Sequence, residues 1–158
     1  MKQLFLLITL IVSHKLAAQE IPFIRIDQIE RWKNAETDTV FVLNFWATWC
    51  VPCVAEIPVF EALNKQYADQ KVSVILISND FKSKIESNLK PFVLREKLKS
   101  QVVFMDETDA NAWIELVSPD WSGGIPSTLI ISKRKNKLLL FEQELTFDEL
   151  EAALLSVL

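Results

Sequence analysis

Three nearly unbroken apolar runs, at residues 39–45, 72–78 and 102–105, alternate with longer segments of different spacing along this chain. Such runs are typical of strands buried on both faces, as in sheets with parallel strands. The segment at 54–68 has apolar residues at helical spacing, and the charged segment at 82–99 is long enough for a second helical crossover. The alternation therefore predicts βαβ units and an α/β fold.

The last third of the chain has a different pattern. Residues 128–132 and 137–141 are apolar runs on either side of a short polar turn, which predicts a β-hairpin. Residues 147–158 are predicted to form a closing helix, because Thr146 and Glu149 have the spacing of a capping box at its start.

The remaining segments have weaker signals. Residues 21–26 are predicted as an edge strand, and Asp27 is expected to cap a short helix that ends at Trp32. A further short helix is expected at residues 110–116, and Pro91 is expected to break or restart the helix of the second crossover. With 158 residues, half of them apolar, the chain has the size and composition of one packed domain.

The N-terminus has the three parts of a secretory signal: a positive start, an apolar run at 4–12 and small residues up to Ala18. We therefore predict a signal peptide at residues 1–18, cleaved after Ala18, and one exported, periplasmic domain at residues 19–158. The alternative is that the apolar run is a buried strand or helix of the fold. The run is too short for a permanent membrane anchor, which needs about 20 apolar residues.

Composition excludes several classes of function. The chain has 17 Lys and Arg against 21 Asp and Glu, a net charge of −4, so no surface for nucleic acid is expected. Its two glycines are too few for a glycine-rich phosphate loop. The only histidine, His14, lies in the predicted signal peptide, so neither imidazole catalysis nor a Ser-His-Asp triad is expected in the exported protein.

The two cysteines, Cys50 and Cys53, lie where the strand at 39–45 is followed by a helix. A helix N-terminus stabilises an anion, so the first cysteine is favoured as the thiolate that attacks in disulfide exchange, and the second can resolve the mixed disulfide. Zinc would need four ligands, and covalent haem would need a histidine in place of Val54. No metal is therefore expected, and no cofactor beyond this dithiol. A purely structural disulfide is the alternative, although so short a loop restricts the unfolded chain little.

Two motifs resemble those of a known family. Residues 45–58, Phe-Trp-Ala-Thr-Trp-Cys-Val-Pro-Cys-Val-Ala-Glu-Ile-Pro, resemble the active-site signature of TlpA/ResA-like thiol-disulfide oxidoreductases of the thioredoxin superfamily. Residues 122–128 resemble the loop that carries the family's cis-proline. The resemblance implies a thioredoxin fold: a central mixed sheet with a parallel βαβ half, a C-terminal β-hairpin plus helix, and helices on both faces. It also implies that Cys50 is the attacking thiol, Cys53 the resolving thiol and Pro126 the cis-proline.

The chain departs from this pattern in two places. Thioredoxin has a buried carboxylate six residues before its first cysteine, where this chain has Asn44. Glu56 is a candidate substitute as a catalytic carboxylate, because TlpA/ResA-like proteins usually have Glu three residues after the second cysteine. The alternative for Glu56 is an exposed carboxylate near the start of a helix. Residues 82–100 are longer and more charged than a minimal thioredoxin needs, and the resemblance does not account for them.

Candidate substrate contacts lie beside the two motifs. Trp49 is expected at the surface next to Cys50. Trp121 precedes the loop of Pro126, and both a substrate contact and a core position are open for it. A cis bond at Pro126 would leave the backbone of Ile125 facing the disulfide, where it can pair with an extended substrate segment.

The residues and the resemblance together predict an exported thiol-disulfide oxidoreductase that chiefly reduces the disulfides of other proteins and acts as a monomer. Its electrons would come from a membrane thiol donor that the sequence does not identify. A disulfide-forming oxidase is the alternative within the enzyme class, and a non-catalytic binding module is the alternative outside it. A peroxidase is less consistent with the sequence, because no Pro-x-x-x-Thr-x-x-Cys pattern precedes either cysteine.

Overall fold

The computed structural model describes residues 20–158, so the predicted signal peptide lies outside the described residues. The strands are β1 (Phe23–Ile24), β2 (Val40–Trp46), β3 (Val72–Ser78), β4 (Gln101–Met105), β5 (Ser127–Ser132) and β6 (Lys137–Phe141). The α-helices are α1 (Ile26–Asn34), α2 (Val51–Gln66), α3 (Lys90–Glu96), α4 (Ala110–Val117) and α5 (Phe147–Leu155). Within the described part of the chain, no helix has the length and apolar character needed to cross a membrane.

The six strands form one mixed sheet in the order β1-β4-β3-β2-β5-β6. The first four strands in this order are parallel to one another, whereas β5 is antiparallel to both β2 and β6. The sheet therefore has the parallel βαβ half and the C-terminal hairpin that the sequence predicts. Strand β2 lies inside the sheet and leads directly towards the cysteines.

Helices pack on both faces of the sheet, as predicted. One face is covered by α2, α3 and α5 through buried side chains such as Phe60, Phe92 and Leu150. The other face is covered by α1 and α4 through Ile29 and Trp113. Because β2 and β3 lie between these two layers, nearly every position in them is apolar and the strands lack the alternation of a half-exposed sheet.

The N-terminal segment differs from its prediction. Only two residues of the predicted strand at 21–26 pair with β4, and the helix already begins at Ile26. Asp27 does not cap α1 but lies within its first turn. The capping contact comes from a distant segment, because the Glu107 carboxylate accepts a hydrogen bond from the Ile26 N–H at 3.0 Å. A cap supplied by tertiary structure leaves no local sequence signal.

The crossover that the resemblance did not account for consists of three unlike helical pieces. A 3₁₀ turn at Lys82–Lys84 is followed by a π-helical turn at Ile85–Leu89 and then by α3. Pro91 lies in the first turn of α3, which confirms the predicted restart. The ring of Phe92 packs 5.2 Å from that of Trp46, so this segment closes the core beside the end of β2.

The C-terminal hairpin and helix are confirmed with two changes of boundary, the first being that β5 begins at Ser127 rather than at residue 128. Asn136 has a φ of 50° in the turn between β5 and β6, a conformation that Asn tolerates well. Thr146 and Glu149 form the predicted capping box at the start of α5. The helix ends at Leu155 rather than at residue 158, because the Val157 N–H donates to the Leu154 carbonyl and tightens the last turn.

Candidate active site

The two cysteines lie at the start of α2 and form a disulfide. The S–S distance is 2.11 Å and the Cα–Cα distance is 5.3 Å. Cys50 is the N-cap residue of α2, and its Sγ accepts a hydrogen bond from the Cys53 N–H at 3.3 Å. Cys50 is 6 % exposed and Cys53 is fully buried, so Cys50 is the more accessible of the two. The more accessible sulfur is therefore also the one at the positive end of the helix.

The loop before β5 lies against this disulfide. The Ile125–Pro126 peptide bond is cis, and the carbonyl oxygen of Ile125 lies 3.9 Å from the Sγ of Cys50. Pro126 is buried, whereas Ile125 is half-buried. A polypeptide that reaches Cys50 therefore meets the backbone of Ile125 at the same place.

Two contacts hold the loop that precedes the cis bond. Gly123 has a φ of +89°, which favours glycine, and it packs against Ile114, whose Cδ1 would lie 2.5 Å from a Cβ atom at this position. The Glu142 carboxylate accepts hydrogen bonds from the N–H of Ser122 at 3.1 Å and from its hydroxyl. The hydrogen bonds from Ser122 lower the pKa of Glu142.

Trp121 has the core position that the sequence left open. It is 4 % exposed, and its ring centroid lies 4.5 Å from that of Phe45 and 5.4 Å from that of Trp113. Its indole N–H donates to the carbonyl of Gly124 at 3.0 Å. Trp121 therefore supports the loop from beneath, and its burial leaves little of the ring for a substrate contact.

Trp49, the residue before Cys50, belongs to an exposed aromatic pair. Trp49 is 55 % exposed, and it stacks on Phe81, which is 67 % exposed, with ring centroids 6.3 Å apart. The pair borders a cleft of about 460 Å³ at the C-terminal ends of the parallel strands, where open α/β sheets commonly bind ligands. Other residues that line this cleft include Met105, Trp113, Ile114 and Gly123.

Asn44 and the candidate catalytic carboxylate, Glu56, contact each other in the core. Asn44 and Glu56 are 0 % and 3 % exposed, and the Asn44 Nδ2 donates to the Glu56 Oε1 at 2.8 Å. The Leu145 N–H donates to the other carboxylate oxygen at 3.3 Å. Burial raises the pKa of Glu56 to about 7, against the opposing effect of these two hydrogen bonds. The exposed-carboxylate alternative is therefore wrong, and the carboxyl lies one helical turn beyond Cys53.

We expect this buried carboxyl to make the stability of the protein depend on pH. Below about pH 4.5 it is protonated in both the folded and the unfolded chain, and between about 4.5 and 7 only the folded chain keeps the proton. The free energy of unfolding should therefore fall as pH rises through this interval, by about 3 kcal/mol at most. Denaturant unfolding of the wild type and of Glu56→Gln at several pH values measures the difference. The same pH dependence in both proteins would contradict the raised pKa.

Two carboxylates that hold the site were missed by sequence reasoning. Asp80 follows β3 and binds Thr48 within the first motif, and Glu142 follows β6 and binds the second. For Asp80 a signal existed, because a polar residue directly after a buried parallel strand lies at the edge of the sheet where sites form. Glu142 has no such signal, since its contact depends on the path of a distant loop.

The arrangement is suited to two-electron exchange between thiols and disulfides. It brings together Cys50, Cys53 and Ile125, with Glu56 one helical turn beyond Cys53 on α2, whereas Trp49 lies at the rim and Trp121 below the loop. Among residues 20–158, no group of three or more His, Cys, Asp or Glu side chains is placed to hold a metal ion.

Comparison with known proteins agrees with this chemistry. The chain matches the AhpC/TSA family over residues 19–136. It belongs to the AhpC/TSA family. This AhpC/TSA chain is 33 % identical over 93 residues to the thioredoxin-like protein YneN of Bacillus subtilis, a match that covers 59 % of the chain and 50 % of YneN. It is 30 % identical over 112 residues to the thiol-disulfide oxidoreductase ResA of Bacillus cereus, which covers 71 % of the chain and 60 % of ResA.

A solved structure supports the fold of this AhpC/TSA chain. The crystal structure of a DsbF homologue from Corynebacterium diphtheriae has a TM-score of 0.61 at 22 % identity, over 76 % of this chain and 73 % of that one. The resemblance to TlpA/ResA-like proteins and the thioredoxin fold are therefore confirmed. The matches to the two sequence relatives span only about half to three-fifths of their length.

Proposed function

We propose that this chain exchanges disulfides with other proteins, with Cys50 as the attacking thiol and Cys53 as the resolving thiol. In the reduced chain, the Cys50 thiolate attacks one sulfur of a substrate disulfide, and the other substrate sulfur leaves as a thiolate that takes up a proton. The Cys53 thiolate then attacks the sulfur of Cys50 and releases the second substrate thiol. Two electrons pass to the substrate, and the chain ends as the Cys50–Cys53 disulfide.

One observation carries this proposal: the sulfur of Cys50 is both the N-cap of α2 and the neighbour of the Ile125 carbonyl. A structural bridge needs neither a helix N-terminus, which stabilises a thiolate, nor a peptide backbone beside it. Turnover of insulin by the chain, with dithiothreitol as the supply of electrons, tests the proposal. Insulin reduction no faster than with dithiothreitol alone would favour the non-catalytic binding module instead.

Glu56 is proposed as the proton acceptor for Cys53. Resolution requires Cys53 to lose its proton, and a group with a pKa near the working pH can both accept a proton and return it. The pKa of about 7 for Glu56 and its place one turn beyond Cys53 on α2 meet this requirement. The hydrogen bond from Asn44 would hold the carboxyl in place while it changes protonation.

Substrate contact is proposed for Trp49 and Ile125. The backbone of Ile125 would pair with an extended substrate segment, which gives affinity through main-chain hydrogen bonds and little dependence on substrate sequence. Trp49, stacked on Phe81, offers an apolar surface beside the attacking sulfur. Trp121 is assigned to supporting the loop, because its N–H is engaged by Gly124 and its ring is buried.

The direction of exchange is proposed to be reductive, with the chain acting as a monomer on protein disulfides. A reductant in an oxidising compartment needs an electron supply, for which we propose a membrane thiol donor. The oxidase alternative differs from this proposal in the redox potential of the cysteine pair, which is therefore the quantity that separates the two.

Export is proposed from the signal-like residues 1–18. Expression of the full sequence in a cell with a periplasm should give a periplasmic product about 18 residues shorter at its N-terminus, because signal peptidase removes such segments. Mass spectrometry of the N-terminal peptide in each cell fraction measures this. Deletion of residues 4–12 serves as the control and should keep the product in the cytosol. Uncleaved wild-type protein in the cytosol would contradict export.

A further inference from the structure

Asp80 binds the segment that leads into Cys50. It is the second residue after β3 and is 5 % exposed. Its carboxylate accepts hydrogen bonds from the N–H of Thr48, at 3.2 and 3.1 Å to its two oxygens, and from the Thr48 hydroxyl. The hydroxyl of Ser78 donates to it at 2.9 Å. All of these donors are neutral, and none of the ion pairs found within residues 20–158 includes Asp80.

The same segment is tied to the end of β3 at a second point. The Asn79 N–H donates to the carbonyl of Trp46 at 2.7 Å, and the Cys50 N–H closes a turn onto the carbonyl of Ala47 at 3.1 Å. Trp49, between Thr48 and Cys50, is more than half exposed, so burial of its own side chain contributes little to fixing the segment. The hydrogen bonds that Thr48 donates to Asp80 therefore fix the backbone immediately before the reactive sulfur.

We propose that Asp80 is a positioning residue for disulfide exchange, which acts through Thr48 to keep the Sγ of Cys50 at the N-cap of α2. Burial of a carboxylate without a cation is costly, and the hydrogen bonds that it accepts are stronger than those to a neutral acceptor. The hydrogen bonds from Thr48 to Asp80 hold the segment that leads into α2, two residues before Cys50. Misplacement of a reacting group by about 1 Å can slow a reaction about a hundredfold. The inference rests on the proposed role of Cys50.

Three variants of the reduced protein test this role. Asp80→Ala removes both carboxylate oxygens that accept hydrogen bonds, whereas Asp80→Asn keeps one oxygen for the Thr48 N–H and removes the negative charge. Glu61→Ala is the matched control, because Glu61 accepts backbone N–H hydrogen bonds from Lys99 at 2.7 Å and Ser100 at 2.9 Å, on α2 but two turns beyond the cysteines. Two rates are measured for each: alkylation of Cys50 by iodoacetamide, assigned by peptide mapping, and kcat/KM for insulin reduction.

Asp80→Ala is expected to lower both rates by about tenfold or more, and Asp80→Asn is expected to restore them to within about threefold of the wild type. Glu61→Ala should lose stability but keep both rates within about twofold. Equal losses in Asp80→Ala and Glu61→Ala would overturn the inference, as would wild-type rates in Asp80→Ala. Faster alkylation in both Asp80 variants would also overturn it, because the carboxylate would then act by its charge alone.

A folding failure of Asp80→Ala leaves the inference testable. Thr48→Val removes only the hydroxyl that binds Asp80, and it should slow both rates by about threefold, whereas unchanged rates would overturn the inference. Failure of the proposed function has a different signature in the same experiment. The wild type itself would then be alkylated first at Cys53, or would not reduce insulin above the background rate.

Discussion

Replacing Cys50 by Ala is expected to lower the rate of protein-disulfide reduction by at least about a thousandfold, because the thiol that remains, Cys53, is fully buried and cannot readily reach a substrate disulfide. Cys53→Ala should behave differently, since Cys50 can still attack but nothing resolves the product. The Cys53→Ala variant is therefore expected to accumulate as a covalent complex with its substrates. The two variants differ from each other only in which sulfur remains, so each is the matched control of the other.

The measurement follows from this difference. Each variant is incubated with a protein that contains disulfides. Covalent complexes are quantified on non-reducing gels and are identified as mixed disulfides by their cleavage with dithiothreitol. Complexes with Cys53→Ala and none with Cys50→Ala would agree with the assigned roles, and mass spectrometry of those formed in cells would identify the substrates. The reverse pattern would exchange the roles of the two cysteines. Full activity in both variants would exclude a catalytic dithiol.

The sequence predicts most of the fold because the decisive signals are local. The buried strands β2 and β3 are continuous apolar runs, and the capping box of Thr146 and Glu149 is complete within four residues. The start of α1 was mispredicted for the opposite reason. Its capping carboxylate, Glu107, is 81 residues away from Ile26 in the sequence, and no local pattern records such a contact.

The same distinction applies to the site. The cysteines and Pro126 lie in two short motifs, so the resemblance finds them. The burial of Glu56 could not be predicted, because it depends on Asn44 from β2 and on the backbone of Leu145, which are 12 and 89 residues away. Asn44 alone indicates only a missing carboxylate. Folding joins it to Glu56, whose buried carboxyl accepts a hydrogen bond from the Asn44 amide.

The redox potential of the Cys50–Cys53 pair is expected to lie between about −200 and −280 mV, at the reducing end of the range for this fold. A strongly oxidising pair, near −120 mV, needs a reduced form that is heavily stabilised by positive charge or by hydrogen-bond donors. Between the cysteines this chain has Val51 and Pro52, whose side chains supply neither. Ionised Glu56 is expected to make the potential more negative, because its negative charge disfavours the Cys50 thiolate of the reduced form.

Equilibration with glutathione buffers of known ratio, followed by alkylation of free thiols, measures this potential. The expected potential differs from that of a strongly oxidising pair by at least about 80 mV. This difference changes the equilibrium constant with glutathione several hundredfold, which the measurement resolves. Glu56→Gln should give a less negative potential than the wild type above pH 7, because the variant lacks the carboxylate that opposes the Cys50 thiolate. The helix N-terminus favours that thiolate in every protein with this fold, so it cannot account for a difference between them. A wild-type potential near −120 mV would therefore exclude the reductive direction and leave disulfide formation as the function of this pair.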